Sequence, residues 1–255
     1  MSMDPFILLM AILIGYLSGS ISYARIVARL ADPDRKIGKI KVKVPGHDDT
    51  YIESTSVSAT TVRLQYGGKY GGLVSLLDML KAAIPMLAFK LWQPDQPYYL
   101  AASVMAVVGH NWPIFYRFIG GRGLSCIIGS FFVLNWLATI VTTVLGFLIG
   151  YRSRNMLLIT GGGIVLMIPW IILTTGDWVL VAYVLLMNFI YWFSMAPELR
   201  EYLRLYRAGA LDEFQKANTL EVIQEDGTVR YDNYTLHNMT EKVNRKLGRE
   251  DSEGK

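Results

Sequence analysis

"LSCIIGSFFVLNWLATIVTTVLGFLIG" (residues 124–150) contains no charged residue, and its reading decides the fold. Taken whole, it is one helix longer than the roughly 20 apolar residues that cross a bilayer. Divided at Asn135–Trp136, it is two short or tilted crossings, 124–134 and 137–150. The choice fixes the side of everything that follows. Nine Lys/Arg lie between Arg25 and Lys69, and ten follow Met195. Arg152, Arg154 and those ten share a side with the early nine only if the chain turns back at Asn135. Lys and Arg gather in cytoplasmic loops, so charge selects the division.

The rest of the chain has the same character. Of its 255 residues, 52% are hydrophobic, and further apolar segments fall at 6–30, 73–92, 98–119, 157–175 and 178–195. With so few charges inside them, these segments exclude a soluble helical protein and predict an all-α polytopic membrane protein of seven transmembrane helices. The N-terminus is expected outside and the C-terminus in the cytoplasm. The net charge of +4 is assigned to orientation and anionic lipid contact rather than to nucleic acid. No basic stretch precedes Phe6, so the first segment reads as an anchor, not a cleaved signal. Trp92, Trp136 and Trp178 sit at segment ends as interfacial aromatics. Gly15/Gly19 and Gly146/Gly150 are small-xxx-small pairs that allow close helix approach, and Pro169 is expected to kink its helix.

Two stretches alternate like strands. Residues 39–44 (KIKVKV), a turn at 45–49 and 50–52 form one expected hairpin; 220–224 (LEVIQ), Asp226-Gly227 and 228–231 form the other. Each alone is marginal, so the two cytoplasmic hairpins are expected to join in one sheet over the mouth of the bundle. Lys39, Lys41 and Lys43 would face Glu221 and Glu225 along its edges. The chain thus divides into a membrane domain, 1–205, with a hairpin insertion at 37–53, and an extension, 206–255. That extension carries the hairpin 220–231 and a short helix or disordered end.

Cys126 is the single cysteine, so no internal disulfide forms. His47, His110 and His237 lack partners at metal-ligand spacing, and neither metal nor cofactor is expected. Asp78 and Lys81, three apart within a helix, can pair locally. The stretch 109–123, "GHNWPIFYRFIGGRG", connects two helices. Glycine backbone at Gly120, Gly121 and Gly123, the start of the next helix and Arg122 together suit an approaching phosphate. A Gly-rich turn with a topology-setting arginine accounts for those residues equally well.

GHxxPxFxxFxGG(K/R)G resembles the signature of the acyl-phosphate-dependent glycerol-3-phosphate acyltransferases of bacterial inner membranes. His110, Pro113, Phe115, Phe118, Gly120, Gly121 and Gly123 match, with Arg122 where the family usually has Lys. "LVSLLDMLKAAIPML" (73–87) resembles the family's second helix through Asp78, Lys81 and Pro85, and "YLSGSIS" (16–22) its first. The resemblance covers about residues 11–205. It implies acyl phosphate as donor, glycerol 3-phosphate as acceptor, membrane lipid as surroundings and lysophosphatidate as product, in phospholipid biosynthesis at the bacterial plasma membrane. The leaving phosphate can take the hydroxyl proton, so no protein base is implied and catalysis is substrate-assisted.

Two motifs depart from the family. Its Gly-Ser-Gly-Asn-x-Gly-Ala-Thr-Asn phosphate loop is "ESTSVSATT" (53–61) here. Glycines become Glu53, Thr55 and Ser58, asparagines become Ser56 and Thr61, and the arginine that follows falls on Leu64, with Arg63 one residue early. The family's late His-Arg-x-Asn-Ile becomes 195–199, Met-Ala-Pro-Glu-Leu. The resemblance implies a substrate site built from Ser54, Ser56, Ser58, Thr60, Thr61, Arg63, His110, Gly120, Gly121, Arg122 and Gly123. Two activities fit: acyl transfer, or a catalytically impaired homologue binding a lipid or phosphorylated ligand.

Overall fold

The computed structural model describes residues 3–34, 37–46, 50–216, 219–224 and 227–232. Turn residues 47–49 and 225–226, His237 and the expected short helix or disordered end lie outside them.

Ten helices are described: α1 (Pro5–Ser20), α2 (Tyr23–Ala31), α3 (Ala59–Tyr66), α4 (Gly68–Trp92), α5 (Tyr98–Asn111), α6 (Leu124–Arg152), α7 (Met156–Thr175), α8 (Trp178–Ser194), α9 (Ala196–Arg207) and α10 (Leu211–Lys216). By length and composition, four stretches suffice to cross a bilayer: Pro5–Ala31, Gly68–Trp92, Leu124–Arg152 and Met156–Thr175. The pair α8 and α9, bent by 59°, makes a fifth. This is fewer than the expected seven because α5 has 14 residues, α8 has 17, and two expected segments are joined in α6.

Side-chain and backbone contacts resolve the path of α6. As a straight rod its 29 residues would separate its ends by about 43 Å. Instead Leu124 and Ser125 at its start line the same cavity as Met156 and Leu157, just beyond its end. The break is at Asn135, whose backbone is extended (φ −156°, ψ 98°). Its side-chain oxygen accepts the Ala138 N–H at 2.9 Å, capping the second half as a new helix. The first half runs parallel to α4, through Ser75–Ser125 at 2.8 Å and the approach of Gly129 to Met79. The second half runs antiparallel to α7, with Gly146 against Gly163 and Gly150 against Ile159.

The remaining helices complete an alternating order. Gly15 and Gly19 press on the Ala102 and Ala106 backbone, so α1 and α5 are parallel. A Cβ at either glycine would fall within 2.1 Å of a carbonyl oxygen, so only glycine permits this approach. Ser103–Tyr183 and Trp112–Phe193 set α8 parallel to α5, and Asn188 bonding the Ile164 carbonyl sets α7 against α8. Seven helical runs thus alternate in direction, with the apolar core of α4 to α8 between them.

Two local expectations are corrected. Segment 6–30 is not one helix: it breaks at Ile21–Ser22, where the buried Lys81 ammonium takes the Ile21 carbonyl at 2.8 Å. Segment 98–119 stays helical only to Asn111, then passes through a short 3₁₀ turn, Ile114–Tyr116. Pro169 lies inside α7, which runs unbroken from Met156 to Thr175.

The two hairpins form one four-stranded antiparallel sheet in the order β2 (Tyr51–Ser54), β1 (Ile40–Lys43), β3 (Leu220–Gln224), β4 (Val229–Asp232). Val42 opposes Val222 across the junction, and both are buried with Ile40 and Leu64. For Lys41, the expected charge pairing between hairpins gives way to a pairing within the first one. Lys41 bonds Glu53 at 2.8 Å within the first hairpin, where the β1–β2 register places them opposite.

Candidate active site

A cavity of about 470 Å³ opens where the bundle meets the sheet, within the range of small-ligand sites. Its wall brings together Ser54, Ser56, Ser58, Thr60, Thr61, Arg63, His110, Arg122 and Gly123. Two of these groups lie some 60 residues apart in sequence and are joined directly, because the Val57 N–H donates to the Gly120 carbonyl at 2.9 Å.

The first loop is built from hydroxyls. Ser54 and Ser56 share a hydrogen bond at 3.1 Å, Thr61 donates to the Ser56 carbonyl at 2.6 Å, and Ser58 caps α3. No residue from 53 to 61 has a positive φ. This path therefore lacks the left-handed conformations that favour glycine, which is why serine and threonine are accommodated. Glu53 is held below the usual carboxylate range, and Lys41 above its ordinary value, by their mutual hydrogen bond and charge. Glu53 therefore stays ionised at neutral pH, but it lies beside a cation.

The second loop departs from the expected open row of N–H groups. Gly121 N–H donates to the His110 carbonyl at 3.1 Å, and neither Gly120 nor Gly121 is part of the cavity wall. They are glycines for lack of room: a Cβ on Gly120 would lie 2.1 Å from the His110 carbonyl oxygen, and one on Gly121 would lie 2.1 Å from His110 Nε2. Gly123 lines the cavity with φ 82°, in the left-handed region. Arg122 is not waiting for an anion. Its Nε and Nη2 donate to one Glu198 oxygen at 2.8 and 2.5 Å, while its carbonyl accepts from Ser194.

Beneath the loops lies a buried ion-pair centre. Lys81 Nζ is 2.9 Å and His110 Nδ1 3.6 Å from the same Asp78 oxygen. An unpaired charge there would cost several kcal/mol. The expected Asp78–Lys81 pair thus also fixes His110. Asp78, His110 and Cys126 could each offer a metal one ligand atom, all within 4.8 Å. The Lys81 ammonium already occupies the carboxylate, so the cluster suits an internal cation rather than a metal.

Sequence reading passed over several wall residues. Ser75 and Ser125 face each other across α4 and α6; Ser75 lies one turn before Asp78 on the same helical face, which is the signal that could have marked it. Tyr191 from the end of α8 and Glu201 from α9 were also passed over, and they line the cavity beside Met195 and Glu198 of the departed late motif.

A family profile described as glycerol-3-phosphate acyltransferase matches residues 9–204. The glycerol-3-phosphate acyltransferase of Mycoplasma mycoides subsp. mycoides is 31% identical over 177 residues, 66% of this chain and 64% of that protein. That of Aquifex aeolicus is 33% identical over 129 residues, 50% and 59% respectively. This chain therefore spans about three fifths of the length of these curated relatives. Among solved structures, it resembles PlsY, an integral membrane glycerol 3-phosphate acyltransferase. The glycerol 3-phosphate form is 25% identical, with TM-score 0.64 over 80% of this chain and 93% of that one. The lysophosphatidic acid form, at 24% identity and TM-score 0.63, shares the fold. With His110, Arg122 and Gly123 of its signature lining one cavity and the family profile matched across 9–204, the chain belongs to the glycerol-3-phosphate acyltransferase family.

Proposed function

We propose that this chain transfers an acyl group from acyl phosphate to glycerol 3-phosphate, giving lysophosphatidate for phospholipid biosynthesis. The observation that carries the reading is the convergence of the hydroxyl loop and the Gly-Gly-Arg-Gly loop on one cavity, through Val57 and Gly120. Ser54, Ser56, Ser58, Thr60, Thr61 and Arg63 supply donors on one side. Arg122, with Gly120, Gly121 and Gly123 shaping its loop above His110, supplies a fork suited to phosphate on the other. Catalysis is positioning and charge stabilisation. The acceptor hydroxyl attacks the acyl carbon, the bond to phosphate breaks, and the departing phosphate takes the proton. The binding-only alternative is favoured by one feature, the occupation of Arg122 by Glu198. Detergent-purified protein given palmitoyl phosphate is expected to release phosphate only when glycerol 3-phosphate is present. No release with acceptor, or release that the acceptor does not raise, would reject transfer.

We also infer seven membrane crossings in the bacterial plasma membrane, N-terminus outside and C-terminus cytoplasmic. Support comes from the alternating helical runs and from the charges. Arg25, Arg29, Arg63, Arg122, Arg152 and Arg204 gather at the cavity end. In a cysteine-free background, cysteines at Gln96 and Asn135 are expected to label from outside intact cells, and one at Thr228 is not. An unlabelled Asn135 site would restore six crossings.

A further inference from the structure

The family match ends at residue 204, yet the cavity wall does not. Leu205, Leu211, Phe214 and Leu220 also line the cavity, facing Ile40 and Ile52 of the first hairpin. They belong to a packed layer rather than a loose tail. Leu205, Ala210 and Leu211 are buried with Val44, and Val222 is fully buried beside Ile40 and Val42. The layer is tied down at both ends. Arg204 donates to the Tyr51 carbonyl at 2.6 Å, and Arg230 to the Gln65 carbonyl, at the end of α3, at 2.7 Å. β3 pairs along β1, the partner of the strand that ends in Ser54.

We propose that Leu205, Leu211, Phe214 and Leu220 form a fixed apolar wall that keeps water from the bound acyl phosphate, so that the acyl group goes to the polyol hydroxyl and not to water. This rests on the acyl-transfer reading above. An acyl phosphate is a mixed anhydride whose carbonyl carbon accepts either oxygen. With the acceptor, the hydroxyl oxygen bonds to the acyl carbon, the carbon–oxygen bond to phosphate breaks, and phosphate leaves with the electron pair and the proton. With water the same bond breaks, giving a fatty acid and phosphate. Both reactions release phosphate, and beyond the positioning of the acceptor hydroxyl it is exclusion of water that favours transfer. Leucine and phenylalanine offer water no hydrogen bond, and the sheet holds them over the hydroxyl loop.

The test uses the full chain and follows both products from palmitoyl phosphate with glycerol 3-phosphate present. Leu211→Ser and Phe214→Ser are expected to raise the ratio of palmitate to lysophosphatidate at least about fivefold, because each gives water a partner at the wall. A ratio within about twofold of wild type, with total turnover reduced, would make the segment merely structural. An activity-independent readout is thiol labelling of Ser125→Cys in a Cys126→Ser background. Labelling by a small water-borne reagent should quicken about fivefold with Phe214→Ser, since the probe lines the same cavity. Unchanged labelling would overturn the wall. Faster labelling in a protein that makes no lysophosphatidate would keep the wall and reject the transfer reading.

Discussion

Gly121→Val is expected to cut acyl transfer more than about a hundredfold, the largest loss from any single site substitution here. The cause is space rather than backbone angle, since Gly121 is not among the positive-φ glycines. Its first added carbon would sit 2.1 Å from His110 Nε2 and 2.8 Å from Cε1. His110 cannot swing aside without leaving Asp78, and its own carbonyl holds the Gly121 N–H. The loop must therefore move, taking with it Arg122 on one side and, through Gly120, the Val57 amide of the hydroxyl loop on the other. A displacement of about 1 Å in a positioning loop is enough for that loss. Overpacking also costs stability, about 1–3 kcal/mol. Thermal unfolding of the same preparation should therefore still show a cooperative transition, at lower temperature. Near-normal phosphate release by a folded Gly121→Val protein would remove this loop from the site.

What could be read in the sequence was what has a period, a charge or a local partner. The break at Asn135 was legible because dividing 124–150 there would bring the flanking Lys/Arg to one side, and the side chain that could cap a restarted helix lies at that point. The hairpins were legible from strict alternation, and the Asp78–Lys81 pair from a spacing of three. Contacts across long sequence separations were not. Nothing local marks Ile21 as the carbonyl that Lys81 will take, 60 residues away, so 6–30 read as one helix. Lys41 was matched to the wrong acid because register decides the partner, and Glu53 lies directly opposite it. Glycine at 120 and 121 was read as exposed N–H groups, whereas packing on His110 is what requires it. The loss of glycine from 53–61 looked costly for backbone geometry, yet the path taken there needs no positive φ.

The second large effect concerns Arg122 and the residue that holds it. Arg122→Ala should lower kcat/KM about ten- to a hundredfold, because a hydrogen bond to a charged group contributes about 1.5–3 kcal/mol. Glu198→Gln should act in the opposite direction. Arg122 and Glu198 are 22% and 26% exposed, so solvent weakens their attraction, and a surface-type pair contributes no more than about 1 kcal/mol. The second Glu198 oxygen is buried without a hydrogen-bond partner among the described residues, which lowers the net value of the pair further. A doubly charged phosphate is therefore expected to outcompete Glu198 for the guanidinium. Neutralising the carboxylate removes that competition, and KM for glycerol 3-phosphate is expected to fall, by up to about fivefold, with kcat little changed. In the double variant, Glu198→Gln should restore more activity than it adds to the wild type, since Arg122→Ala alone leaves an uncompensated carboxylate beside the substrate phosphate. A rise in KM for Glu198→Gln alone would show instead that Glu198 orients Arg122 for phosphate. A loss in the double variant equal to the sum of the two single effects would mean that the pair does not couple at the site at all.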